Sequence, residues 1–331
     1  MSKLIIHDHN NDGVNRRGFL ECMAWAGTGV LWSVSGGVLS SQAFGQKMAG
    51  GSKGELNFVQ ISDSHIGFNK PANTDVAGTL QATIDKINAL PQSPEFIIHT
   101  GDISHTAKAA EFDSAEGILT GSKKQIFYVP GEHDIAVDDG KQYLERYGKG
   151  SKGRGWYSFD QNGVHFVGLV NVGTLEGLGK LGPDQLEWLE DDLRAKSAST
   201  PIVLFAHIPL WAVYPEWGWG TQDSEQALSY AKRFGSVTVL NGHIHQVMQK
   251  VEGKVTFHTA MSTAFPQPAP GSAPAPGPMK VPAERLRSTL GITNVQYVVK
   301  KHSLAVVDSP LAAAETTTSG LLNESAGRRQ A

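Results

Sequence analysis

The chain has 331 residues, 40% hydrophobic and 18% charged, with a formal net charge of −3 and a pI near 6.5. That is enough apolar material for a full core, and the charge balance excludes a field that would gather nucleic acid or an anionic membrane. Twelve histidines stand against a single cysteine, Cys22, so metal ligation by imidazole is open to this chain while an internal disulfide framework is not.

The first segment, NRRGFLECMAW, pairs Arg16 and Arg17 ahead of Phe19 and Leu20, and a mildly apolar Gly/Ser-rich stretch follows to about Leu39. It resembles a twin-arginine export signal, with small residues at Ser41 and Ala43 offering a cleavage site before Phe44. Glu21 departs from the usual pattern, which has a lysine there. The resemblance implies that the twin-arginine translocation machinery carries a folded, metal-loaded protein to a periplasmic or secreted location, and that residues 1–43 are removed with Cys22. A single membrane anchor is the alternative. Gly27, Gly29, Gly36 and Gly37 leave the stretch short and weakly apolar for a span, so no stable anchor is expected after cleavage.

Past a linker at 44–55, short apolar runs alternate with helical stretches, the pattern of an α/β fold. LNFVQI (56–61), EFIIHT (95–100) and QIFYVP (125–130) read as strands, with TLQATIDKINAL (79–90) as a helix after the first. WYSFD and VHFVGLV flank Asn162-Gly163, a hairpin signal. A helix opens at Pro183, PIVLFA (201–206) is a strand, SEQALSYAKRF a helix and SVTVLNG (236–242) a strand. A second hairpin turns at Glu252-Gly253, and two strands close the domain at NVQYVV and SLAVVD. Between them, residues 265–282 are rich in Pro, Ala and Gly; such a segment cannot pack a core and reads as an exposed, semi-rigid loop. Residues 311–331 read as a disordered tail.

Metal-ligand residue types recur at the carboxyl ends of five of these strands: Asp63-Ser64-His65, Gly101-Asp102, Gly131-Glu132-His133-Asp134, His207, and Gly242-His243-Ile244-His245. Alone, a strand-end Asp is often a helix cap and a single His a satisfied core residue. Repeated at the strand ends of an α/β sheet, where loops converge on one crevice, they point to one site. Seven N/O side chains exceed what one ion needs, which suggests two ions sharing a carboxylate. Two ions about 3.5–4 Å apart can clamp a phosphoryl oxygen and activate a water. With no cysteine ligand, Mn, Fe, Zn or Co are the candidates.

In order, D-x-H, G-D, G-N-H-D, H and G-H-x-H resembles the pattern of the calcineurin-like metallophosphoesterases, here spanning Asp63 to His245. The resemblance implies a four-layer α/β/β/α sandwich of two mixed sheets over residues 56–310. It implies that Asp63, His65, Asp102 and His245 hold one ion and Asp102, Glu132, His207 and His243 the other, with Asp102 bridging. It also makes His133 the catalytic histidine at the leaving oxygen, with Asp134 orienting its ring. The implied activity is hydrolysis of phosphomonoesters or phosphodiesters by a metal-bridging hydroxide, on a small-molecule or lipid substrate. No nucleic-acid partner is expected.

Glu132 stands where the family pattern has asparagine. A carboxylate binds its ion more tightly but cancels positive charge, which suits a harder ion such as Fe(III) or displaces the pH optimum. Alternatively, the longer side chain swings away from the ion, or the protein binds metal and phosphate without turnover. A phosphodiesterase acting on nucleotides or lipid head groups is a further reading. Where purple acid phosphatases place a metal-binding tyrosine this chain has His105, which either contacts substrate, supports a ligand or is an exposed loop histidine. His99 and His258 read as structural. The aromatics of WAVYPEWGWG (211–220) either stack on a substrate or pack on the sheet.

Overall fold

Runs such as FIIH and IVLF carry apolar side chains on both faces, a composition suited to parallel strands covered on each side. The computed structural model describes residues 29–35, 38–44, 55–173, 177–298 and 304–312, and places those runs inside two sheets. The strands in chain order are β1 (Gly29–Ser35), β2 (Val38–Phe44), β3 (Glu55–Ile61), β4 (Phe96–His99), β5 (Gln125–Tyr128), β6 (Tyr157–Gln161) and β7 (Val164–Gly168). There follow β8 (Ile202–Phe205), β9 (Val237–Asn241), β10 (Gln249–Glu252), β11 (Val255–Thr259), β12 (Gly291–Val298) and β13 (Leu304–Pro310). β1 and β2 pair with each other as an antiparallel hairpin. One main sheet runs β13-β12-β3-β4-β5 and the other β10-β11-β9-β8-β7-β6.

Both main sheets are mixed: the first has antiparallel β12 and β13 on one side of the parallel set β3, β4 and β5, and the second has antiparallel β6 and β10 at its two margins around the parallel set β7, β8, β9 and β11. Phe58, Phe96, Ile98 and Val129 from one side meet Phe166, Val203, Phe205 and Leu240 from the other, which makes the sheet-on-sheet core. On the outer face of the first sheet lie α1 (Val76–Asn88) and α2 (Ala109–Leu119), burying Leu80, Ile84 and Phe112 against Val59, Ile61 and Ile97. α3 (Glu132–Ile135) and α4 (Lys141–Tyr147) follow β5. α5 (Pro183–Arg194) and α6 (Ser224–Ala231) cover the second sheet through Leu186, Leu189, Leu193 and Ala227. α7 (Ala283–Thr289) precedes β12. The layers are therefore α/β/β/α, as the resemblance implies.

Local chemistry explains the helix ends. Asp75 caps α1 by accepting from the Gly78 N–H at 2.8 Å, and Pro183 opens α5 where its missing N–H costs nothing. α2 and the short helices α3, α4 and α7 carry no pattern that marks them in the sequence. α2 buries only Phe112, Ala115 and Leu119, too sparse an apolar stripe to stand out against its Ala and acidic neighbours.

One expectation is corrected. The segment 265–282 is not exposed throughout: Phe265 and Pro266 are buried, Phe265 belongs to the core beneath α1 and α2, and the segment runs out to solvent only further on. The turn ahead of the Pro-rich stretch holds Phe265 inward: the N–H groups of Ala264 and Phe265 both donate to Ser262 Oγ, at 2.8 and 3.1 Å, and the ring packs on His65 and Phe68. The arginine pair Arg16-Arg17 and the residues after 312 lie outside the described residues. No helix among the described residues is long and apolar enough to cross a membrane.

Candidate metal centre

The parallel strands of both sheets deliver their carboxyl ends to one edge, and the turns there are unusual. Asp63, His65, Asp102, His243 and His245 all have positive φ, from 42° to 68°. Non-glycine residues avoid that region, and each costs roughly 1–3 kcal/mol and persists only where its surroundings impose it. Five of seven candidate ligands share this backbone, so the strain is concentrated where side chains must be aimed inward. Close approach explains the glycines of the motifs. A Cβ on Gly131 would collide with the Asp102 carboxylate, and one on Gly242 would meet Ser62 Oγ and come within 2.7 Å of Asp63 Oδ2.

The seven candidate ligands form two groups. In the first, His245 Nε2 lies 3.3 Å from Asp63 Oδ1 and 3.2 Å from His65 Nε2. In the second, Glu132 places Oε2 3.0 Å from His207 Nε2 and Oε1 2.9 Å from His243 Nδ1. Asp102 spans them: its Oδ2 is 3.4 Å from His65 Nε2 and 3.4 Å from His207 Nε2. The first sheet supplies Asp63, His65, Asp102 and Glu132, and the second supplies the remaining three imidazoles. The Glu132 carboxylate points between His207 and His243 rather than swinging away from them.

The outer nitrogens of the imidazoles are held as ligation requires. His207 Nδ1–H donates to the Thr100 carbonyl at 2.6 Å and His245 Nδ1–H to the Phe265 carbonyl at 2.6 Å, which leaves Nε2 in each case as the lone-pair nitrogen facing the group. Phe265 also stacks on His65, ring centroids 4.9 Å apart, and lies 4.8 Å from His245.

The GEHD loop does not work as the resemblance implies in one respect. Asp134 makes no hydrogen bond to the His133 ring, which it reaches only through its charge. Its carboxylate accepts from the N–H groups of Ile103 (3.1 Å), Ser104 (2.8 Å) and Gly131 (3.0 Å) and from Ser104 Oγ (2.9 Å). The reason is geometric: Asp134 sits at the third position of α3 and reaches back over its N-terminus, where unpaired N–H groups attract a carboxylate. His133 is oriented instead by the main chain, its Nδ1–H donating to the His105 carbonyl at 2.7 Å. Of the readings of His105, the exposed loop is excluded, since its half-buried ring stacks on His133 at 4.8 Å and its Nδ1 lies 3.3 Å from His65 Nδ1.

His99 and His258 are structural. The Gly101 N–H donates to His99 Nδ1 at 3.3 Å, so Nε2 carries the proton and donates to Ser64 Oγ at 2.8 Å. Burial pushes the His99 pKa down to about 3. His258 lies buried with Nε2 3.1 Å from Asp308.

Electrostatics at the centre fit a bound cation. Burial pushes the Asp63 carboxyl up, but the His245 and His207 rings overcome this and hold it at about 2. Glu132 is likewise raised by burial and carried well below the usual range by His243 and His207. Burial depresses His207, yet Asp102 and Glu132 drive it well above its ordinary value, so the carboxylates around its Nε2 call for a positive charge there, which a proton or, in its place, a bound ion supplies. Glu132 Oε2 and His207 Nε2 are buried and neither has a hydrogen bond of acceptable geometry. Two orphaned donors of metal-ligand type in a shell of oxygen and imidazole are what an N/O-preferring divalent ion would satisfy.

The centre opens to solvent through a cavity of about 170 Å³, walled by Phe68, Lys70, His105, His133, Gln267 and Pro278. No sequence pattern marks Phe68, Lys70 or Gln267, which lie outside the strand-end motifs. None of the aromatics of 211–220 lines it. Trp219 is buried, Trp217 packs on it, and Trp211 lies against Phe257, so that loop packs on the sheet. A larger cavity of about 930 Å³ between α6 and β10–β11 contains no candidate ligand.

An α/β/β/α sandwich whose two parallel strand sets gather acid and imidazole around one shared carboxylate defines a class of metal-dependent hydrolase. The chain belongs to the calcineurin-like phosphoesterase family, whose model matches residues 56–247, and is thus a metal-dependent phosphoric ester hydrolase. The family generally binds two divalent metals. The chain is similar to a 3',5'-cyclic-nucleotide phosphodiesterase of Nostoc sp., 23% identical over 216 residues covering 63% of this chain and 79% of that one. A probable glycerophosphodiester phosphodiesterase of Arcobacter nitrofigilis is 26% identical over 225 residues, 62% of this chain and 77% of the relative. Among solved structures, a dimetal phosphatase from Danio rerio shares the fold with a TM-score of 0.60 at 13% identity, over 78% of this chain and 96% of that one.

Proposed function

We propose that this chain is an exported dinuclear-metal phosphodiesterase acting on a small phosphodiester. The observation that carries the dinuclear reading is Asp102, one carboxylate oxygen of which is 3.4 Å from an imidazole of each group. In this reading Asp63, His65, Asp102 and His245 hold one ion and Asp102, Glu132, His207 and His243 the other. The ions, when bound, supply the positive charge that polarises a phosphoryl group and acidifies water.

The chain's own residues do the rest. His133 is held by the His105 carbonyl through Nδ1, which leaves Nε2 to bring a proton to the leaving alkoxide. Burial lowers its pKa, but Asp102, Glu132 and the His105 carbonyl raise it above its ordinary value, so the ring is suited to carry that proton. Phe68, Phe265 and Pro278 narrow the mouth and shed water around the ester. The diester preference draws support from the two relatives named as phosphodiesterases. The carboxylate of Glu132 where an amide would be neutral favours a harder ion on its side, Fe(III) being the candidate.

Hydrolysis of bis(p-nitrophenyl) phosphate and p-nitrophenyl phosphate by the manganese-reconstituted protein tests the reading. Faster turnover of the diester is expected; metal bound without hydrolysis of either would show a binding protein instead. Export and the domain division, with 1–43 a signal, 44–55 a linker, 56–310 the catalytic domain and 311–331 a tail, rest on the sequence. Fractionation of cells expressing the chain with Arg16 and Arg17 both changed to Lys is expected to retain the protein in the cytoplasm.

A further inference from the structure

His65, His207 and His245 each direct Nε2 into the centre, and each can offer a lone pair there only if its proton sits on Nδ1. For His207 and His245 a main-chain carbonyl accepts that proton, and a carbonyl can only accept. For His65 the partner is a side chain: Nδ1 of His105, 3.3 Å away. A side chain that can be replaced thus stands at the nitrogen that must carry the His65 proton.

His105 is built into this place from three sides. Its own N–H donates to the Ile66 carbonyl at 2.9 Å, Phe68 meets its ring edge-on at 5.2 Å, and His133 stacks on it with the ring planes 19° apart. Its carbonyl is the acceptor for His133 Nδ1–H. One residue therefore reaches both a candidate ligand and the imidazole at the leaving oxygen.

We propose that His105 is a positioning residue of the hydrolytic centre, accepting the Nδ1–H of His65 at its own Nδ1 and so holding His65 in the tautomer that ligates an ion. The proposal rests on the dinuclear reading above. The acceptor role predicts a specific rescue. The side-chain oxygen of asparagine occupies nearly the position of Nδ1 and can accept the same proton, whereas leucine fills the space and cannot.

The test uses the full chain reconstituted with manganese, with the metal content of wild type, His105→Leu and His105→Asn measured after dialysis against graded chelator. The kcat and KM for bis(p-nitrophenyl) phosphate are read alongside, and circular dichroism confirms that each variant is folded. The expected result is two ions in wild type, one of them released from His105→Leu at about 10–100-fold lower chelator concentration. A fall in kcat at nearly constant KM should accompany it, with metal retention restored in His105→Asn. Retention in His105→Leu equal to wild type overturns the proposal, as does a folded His105→Asn that loses metal like leucine. A rise in KM at full metal content would make His105 a substrate contact instead, and three ions in wild type falling to two would make it a ligand. A wild type that holds no second ion overturns the dinuclear reading itself, which sets that failure apart from the others.

Discussion

Glu132 adds a third carboxylate, with Asp63 and Asp102, to a shell of four imidazoles of which His65, His207 and His245 are buried and His243 is half-buried. Relative to an amide at that position, two ions of fixed charge there leave one unit less positive charge to acidify water. Glu132→Asn is therefore expected to move the acid limb of the pH–rate profile down by on the order of one unit and to loosen one ion by roughly tenfold. Metal analysis and a pH–rate profile check both, and no change in either removes the idea. His99 makes a different prediction at the same scale. Its pKa falls from 6.5 unfolded to about 3 folded, because burial disfavours the charged ring. Its contribution is full above about pH 6.5 and lost as pH falls towards 3. Urea unfolding at pH 7 and pH 5, compared with His99→Gln, should show wild type losing about 2 kcal/mol relative to the variant. A difference that stays flat would mean the ring is not held neutral.

Among the elements, α3 does more than its four residues suggest. Gly131 begins it, Glu132 and His133 project from its first turn, and Asp134 reaches back to bind the turn after β4 at Ile103 and Ser104. The Asp134 carboxyl is buried and its pKa is pushed up to about 6 by burial and by Asp102, against the pull of the N–H groups it accepts from. Removing it leaves three buried N–H groups unpaired, so Asp134→Ala is expected to cost on the order of 3 kcal/mol. Denaturant midpoints would show it, and the same loosening of the GEHD turn should release metal at lower chelator concentration. Stability at wild-type level would mean water replaces the carboxylate fully. The sequence shows the motif Gly131-Glu132-His133-Asp134 plainly, but only the short helix reveals that Asp134 serves the backbone and leaves the His133 ring to a main-chain carbonyl.

At the scale of the molecule, two sheets meet along an apolar interface and share one polar edge, so ions bound there join the halves. Metal that binds only the folded chain stabilises it by about 2.7 kcal/mol at a hundredfold excess over its Kd. Chelation is expected to lower the melting temperature by roughly 5–10 °C, with recovery on adding manganese, as read by thermal unfolding. An unchanged melting temperature would place the ions outside the folded core. The layered fold was largely legible in advance because continuous apolar runs such as IVLF announce interior parallel strands, and the seven candidate ligands were legible because each follows such a run. Phe265, Lys70 and Gln267 were not, since no periodicity marks a residue that reaches the cavity from a loop.

The amino-acid order by itself determined which strands exist and which acid and imidazole side chains stand at their ends, because burial and strand periodicity act locally along the chain. Folding alone decided what those side chains face. That Asp102 lies between His65 and His207 is a consequence of loops from two sheets meeting, and that His105 rather than a carbonyl accepts from His65 and that Asp134 turns to the backbone are consequences of loops from neighbouring strands of one sheet meeting. Hydrogen-bond partners across such distances depend on how the layers pack, and no pattern within any one segment encodes that.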